Sequence, residues 1–205
     1  MMQYLNDTPV ASIIFIFTLI TSVYAFNDAT VYGKFMLHPY TVSKGKKLYT
    51  YITSGLIHAD WMHLFFNMFT FVFFAFPLEI MMGHWQFGLM YFLALILSDI
   101  PTVIKHKDHF WYNSLGASGA ISAVLFSYIL FKPFTIIGVM FIPMPALLFA
   151  VLYLAYSWYM SKNAKDNIGH DAHFFGALTG LVFTIIFVQG IIPNFIAEIT
   201  QTLSR

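Results

Sequence analysis

With 59% hydrophobic and 9% charged residues in 205 positions, the chain departs from soluble domains, in which about a quarter of residues are charged. Cysteine is absent and the formal net charge is +1, which excludes disulfide stapling, thiolate metal sites and cysteine nucleophiles and leaves no basic surplus for a nucleic-acid partner. The lipid bilayer is the expected surrounding for most of the chain, and polar residues inside apolar segments are where function is expected.

In chain order, the first apolar run is Pro9 to Phe26. Val23-Tyr24-Ala25 resembles a signal-peptide cleavage site, but no Lys or Arg precedes the run, so it is read as a first transmembrane helix. A loop at about 27–60 follows, in which Lys34, Lys44, Lys46 and Lys47 mix with Phe35, Met36, Leu37, Leu48, Tyr49 and Tyr51. That mixture suits a segment lying on the membrane surface. Further runs are Trp61 to Met82, Trp85 to Ile100, Gly116 to Phe131, Phe134 to Tyr159 and Ala172 to Ile192, each compatible with a span of about 20 residues. The expected architecture is all-α: a polytopic bundle of six transmembrane helices in a single domain over 1–205, with no second soluble domain. Pro77, Pro143 and Pro145 predict kinks or early ends, and the last two make the fifth helix a candidate mobile gate.

Six crossings place the starts of the second, fourth and sixth helices on the face opposite the N-terminus. His63 and Asn67 lie in the first turns of the second helix, Ser118 opens the fourth and His173 opens the sixth. Three polar sets distant in sequence therefore reach one depth. His63 and Asn67, four apart, share a helix face, either as chemistry or as interhelical glue. Ser118 sits in Gly116-Ala117-Ser118-Gly119-Ala120, either a glycine-flanked nucleophile or a plain helix-packing run. His173, Gly176, Ala177 and Gly180 form one stripe whose small residues draw helix backbones together. Matching small residues at Gly119, Ala120 and Ala123 would let His173 approach Ser118, the minimum arrangement for an activated hydroxyl.

These segments resemble the rhomboid family of intramembrane serine proteases over roughly Thr53 to Gly180. The pieces stand in family order: His58-Ala59-Asp60-Trp61-Met62-His63-Leu64-Phe65-Phe66-Asn67, Pro77-Leu78-Glu79 with Gly83, Gly116-Ala117-Ser118-Gly119-Ala120, and Ala172-His173-Phe174-Phe175-Gly176. The resemblance implies a Ser118/His173 dyad with no acidic third member. Asn67, His63 and the Ser118 backbone N–H are implied as oxyanion donors, His58 as a structural loop histidine and Glu79 as a helix-stabilising carboxylate. It further implies peptide-bond hydrolysis in or near transmembrane segments of protein substrates. Two departures stand out: Tyr49-Thr50 occupies the place of a Trp-Arg pair, and Ser122 stands where some members carry a ring that stacks on the histidine.

His-Glu-x-x-His and Gly-x-Gly-Asp strings are both missing, which sets aside zinc and aspartyl intramembrane proteolysis. The histidines lack a clustered carboxylate, so no metal and no cofactor is expected. An inactive relative that binds transmembrane clients is the alternative function. The six-span count puts eight of the ten Lys and Arg residues opposite the N-terminus, leaving Lys132 and Arg205 beside it. By the positive-inside rule that crowded face would be cytoplasmic. Bacterial members resemble the reverse arrangement, and the family arrangement in a bacterial inner membrane is the expectation adopted.

Overall fold

A computed structural model describes residues 6–139, 142–163, 166 and 168–204. Helix α1 (Pro9–Asn27) begins with proline at its first turn, where a missing N–H costs nothing. Helix α2 (Ala29–Phe35) is capped by the Asp28 carboxylate, which accepts from Thr30 N and Val31 N. Two helical turns, Pro39–Val42 and Thr50–Thr53, and a 3-10 turn, Ser54–Leu56, complete the first loop. Helix α3 (Trp61–Met82) starts on an Asp60 cap, 2.8 Å from His63 N, runs through Pro77 and stops at Gly83. That glycine has φ +97°, a conformation that L side chains rarely adopt.

Helix α4 (His84–His106) returns, and α5 (Ser118–Phe131) follows an irregular segment. Strands β1 (Ile136–Val139) and β2 (Ile142–Pro145) form an antiparallel hairpin in the register Ile136↔Pro145 to Val139↔Ile142. Helices α6 (Ala146–Asn163), α7 (His170–Phe187) and α8 (Ile191–Leu203) close the chain.

Four helices, α1, α3, α4 and α7, are long and apolar enough to cross a membrane. The apolar α5 is shorter, at 14 residues, and nearly all of it is buried. It is the hub of the bundle: Ala120, Ala123 and Val124 belong to a core shared with α1, α3 and α4, while Leu125, Phe126 and Ile129 pack toward α6 and β1. Outward-facing Phe65, Phe69, Val72 and Phe73 on α3 and Ile13, Phe17 and Ile20 on α1 are exposed, as expected of helices whose solvent is lipid.

Two expectations are corrected. The run from Phe134 to Tyr159 is not one helix, because residues 136–145 form the hairpin and α6 begins only at Ala146. β-branched Ile136, Ile137 and Val139 favour a strand. Pro143 and Pro145, two apart, put their missing N–H groups on one edge, where a strand tolerates them. The prolines therefore precede α6 and kink nothing in it, so the proline-based reason for a gate falls. The run from Ala172 to Ile192 is likewise divided: α7 ends at Phe187, and Gly190, at φ +77°, starts α8.

Candidate active site

The site is built where α5 and α7 meet. A Cβ added at Gly176 would collide with the Gly119 carbonyl, and one at Gly180 with the Ala123 carbonyl. The glycine stripe of α7 thus lies directly on the α5 backbone, in a register that puts Gly176 against Gly119. His173 is one turn before Gly176, and Ser118 is adjacent to Gly119. Gly119 is also crowded from α4, where a Cβ would meet the Ser98 hydroxyl, and its nearest α7 atom is the Ala172 carbonyl oxygen at 3.3 Å. Ser118 is therefore held by close contacts at the following residue, on two sides.

Ser118 is the first residue of α5 and is half-buried. The first hydrogen bond of the helix runs from Ile121 N to Ala117 O, 2.9 Å. The N–H groups of Ser118, Gly119 and Ala120 are thus left unused by the helix, facing the end where the macrodipole favours negative charge. The preceding turn is fixed by Gly116 N donating to Ser54 O, and by Leu37 and Ser114 exchanging both backbone hydrogen bonds, all at 2.9 Å. Gly116 has φ +115°, and a Cβ there would lie 2.5 Å from His63 Cε1. Glycine is required for both reasons, and the contact places the His63 ring against the turn that carries Ser118.

The hydrogen bonds of two histidines assign their protons. Ser22 Oγ donates to Leu56 O at 2.9 Å, so the same oxygen accepts from His58 Nδ1–H at 2.9 Å. His58 Nε2 is then a bare acceptor, buried and without a partner among the described residues. Burial first, and the neighbouring His63 second, push the His58 imidazole down to about 3, so it is neutral near pH 7. Its ring meets His63 edge-on at 5.0 Å. His63 Nδ1 accepts from Ala59 N at 3.4 Å, which leaves the proton on Nε2, the nitrogen beside Gly116.

One turn along α3, the Asn67 amide nitrogen is buried and has no partner among the described residues. A buried, unused donor is costly. Next to a serine at a helix start, it is a donor ready for a developing oxyanion. His63 and His170 are the ionisable groups close enough to act on His173. Among the described residues neither Ser118 nor His173 makes a side-chain hydrogen bond. Catalytic hydrogen bonds are often long before substrate arrives.

Glu79 stands away from this cluster. It is fully buried, and its oxygens accept from Val10 N at 3.1 Å and Ala11 N at 2.6 Å, with His84 Nδ1 at 2.6 Å. It ties the end of α3 to the first turn of α1. In the first loop, Thr50 is buried and donates to Lys47 O, whereas Tyr49 is exposed and donates to Lys34 O. No group of three potential metal ligands exists among the described residues.

One neighbour of His173 was not read from the sequence. The Tyr153 ring, from α6, lies nearly parallel to the imidazole, with centroids 6.3 Å apart and planes at 27°. Its hydroxyl is 2.7 Å from Ser122 Oγ. The available signal was Ser122 itself, a small polar residue where a ring was sought, which leaves space for a ring from another helix.

Residues 45–190 match the family model described as Rhomboid domain. The chain belongs to the rhomboid family. A Bacillus subtilis (strain 168) protein named "Putative rhomboid protease YdcA" is 33% identical over 140 residues, covering 67% of this chain and 66% of that protein. The Arabidopsis thaliana protein "RHOMBOID-like protein 12, mitochondrial" is 28% identical over 170 residues, covering 73% of this chain and 50% of that protein. The chain thus spans between half and two thirds of these relatives' lengths. Family membership and the apolar helices make it an integral membrane protein.

Proposed function

We propose that the protein is an intramembrane serine endopeptidase that hydrolyses peptide bonds in or near transmembrane segments of protein substrates, with Ser118 as nucleophile and His173 as general base. The observation that carries this reading is the backbone contact of Gly119 with Gly176, which supports a meeting of Ser118 and His173 at one depth. In this reading α5 and α6 also cross the bilayer, making six spans. A 14-residue helix rises about 21 Å, less than the roughly 30 Å hydrocarbon core. If α5 ends at one membrane boundary, Ser118 begins it inside the other, where irregular backbone is tolerated because protein or water covers it.

The chemistry then runs as an acyl transfer. His173 takes the Ser118 proton as Oγ attacks the scissile carbonyl carbon, and the carbonyl oxygen becomes an oxyanion. Ser118 N–H, the Asn67 amide and His63 Nε2–H are the donors proposed for it. The resulting imidazolium returns its proton to the leaving amine, and water, deprotonated by the same base, releases the acyl group. No metal or cofactor is needed.

The test is a serine-reactive fluorophosphonate on the purified chain, together with cleavage of a transmembrane reporter. Labelling and cleavage should both vanish in Ser118→Ala while its thermal unfolding stays near native. Normal cleavage by a folded Ser118→Ala chain would overturn the nucleophile assignment. A native chain that binds the reporter but neither cleaves it nor takes the probe would favour the inactive, client-binding alternative.

A further inference from the structure

We propose that Tyr153, presented by α6 and held by Ser122, is the positioning residue for the His173 imidazole; this rests on the dyad reading above. A base must be aimed as well as present, and a dyad has no third side chain for that task. Nearby carboxylates are engaged elsewhere: Asp171 pairs with Lys105 at 2.8 Å, and Asp166 with His170 at 3.3 Å. His173 has no side-chain hydrogen bond of its own among the described residues. What it has is the near-parallel face of Tyr153, and offset aromatic faces prefer such arrangements.

The ring is itself fixed from two directions. Phe126 on α5 and Phe149 on α6 pack on it, with centroids 5.4 and 5.3 Å away. Its hydroxyl meets Ser122 at 2.7 Å, and the Ser157 hydroxyl, one turn along α6, also bonds it. Ser122 lies on α5, one turn after Ser118. The helix that carries the nucleophile therefore sets the position of the ring that aligns the base, through Ser122 to Tyr153 to His173. Because the ring arrives on a separate helix, the aim of the base depends on how α6 docks.

The experiment uses the full chain in detergent micelles and measures the rate of fluorophosphonate labelling, kcat and KM for a transmembrane reporter, and the pH profile of kcat. Tyr153→Leu should lower kcat and the labelling rate about tenfold, the scale of one aromatic contact, with KM unchanged. Tyr153→Phe keeps the ring and should recover most of that loss. Ser122→Ala leaves the ring unpinned and should lower kcat severalfold, with a displaced acid limb in the pH profile. Native kcat and native pH profile in Ser122→Ala would overturn the proposal even if Tyr153→Leu failed to fold. So would Tyr153→Phe falling as far as Tyr153→Leu in folded material, or a loss confined to KM. If Tyr153→Leu alone keeps the native labelling rate, the positioning role is wrong and the dyad stands. If the native chain itself takes no probe, the dyad reading fails and this proposal falls with it.

Discussion

Helices α5 and α7 meet backbone to backbone, whereas α6 lies beside them through a handful of side chains. At the first contact Gly119 faces Gly176 and Ala123 faces Gly180, with no room for a methyl group. Ser127 Oγ adds a hydrogen bond to Gly180 O at 3.1 Å across the same seam. On α6 only Ala146, Ala150 and Ser157 are buried, and Leu148, Val151, Leu152, Tyr156, Trp158 and Tyr159 are exposed. In lipid no hydrophobic force drives helices together, so close packing of small residues does the work. The seam has that packing and α6 largely lacks it. The proposed nucleophile and the backbone of the base thus ride on the rigid pair, while the ring beside the base rides on the loose helix.

The largest effect should come from breaking the seam. Gly176→Ala puts a methyl against the Gly119 carbonyl, and backbone cannot step aside as a flexible side chain can. A cost of about 3 kcal/mol or more is expected, the upper end for overpacking, together with loss of cleavage. Thermal unfolding and turnover of the purified variant check this, and a native unfolding temperature would show that the seam yields.

Next in size is a change that spares the seam and removes chemistry. Asn67→Ala deletes the unused buried donor and should lower kcat by about a hundredfold or more. Unfolding should shift only slightly, since an interhelical hydrogen bond in membranes averages about 0.6 kcal/mol. Retained turnover per folded molecule with lowered stability would assign Asn67 to helix packing instead.

The same contrast explains what was legible in the sequence. Pro9 to Phe26 and Trp61 to Met82 were readable because apolar runs bounded by caps and polar loops mark helices, and α1 and α3 occupy those spans within a residue. The third run was read as ending at Ile100, yet α4 continues to His106, because Asp99, Pro101 and Lys105 lower hydropathy without ending the helix. Lys105 is bonded to Asp171 and to Ser161 O, contacts that no local pattern announces. The hairpin was missed because an apolar run looks alike as strand or helix. At the site, the glycine stripe predicted which faces meet, since small residues mean closeness. Tyr153 and the Glu79 contact with α1 were hidden for the opposite reason: one side chain reaching across helices leaves no periodicity.

A smaller effect should appear with acid. His58 titrates near 6.5 when unfolded and is pushed down to about 3 by burial in the fold. Between those values the unfolded chain binds the extra proton, so stability is lost as pH falls from 6.5 toward 3. His58→Asn, which can still reach Ser22, should unfold with a shallower acid dependence over pH 6.5 to 4. Parallel curves for the two chains would remove His58 as the cause.

The smallest effect is expected on the outer face of α6. Val151→Ala changes an exposed apolar residue two positions before Tyr153, so the comparison holds the helix constant and varies only the face. Because Val151 contacts lipid rather than the seam, its truncation exchanges one apolar surrounding for another and should move stability by no more than about 0.5 kcal/mol. The expected kcat is native, in contrast to the tenfold loss assigned to Tyr153→Leu on the inner face. Equal losses from both positions would mean that α6 acts through its general docking and that no particular ring aims the base. A native Val151→Ala beside an impaired Tyr153→Leu would place the dependence in the inward contact, making the loosely packed helix matter to the site through one side chain. Turnover and unfolding measured on both variants in the same micelles make that distinction.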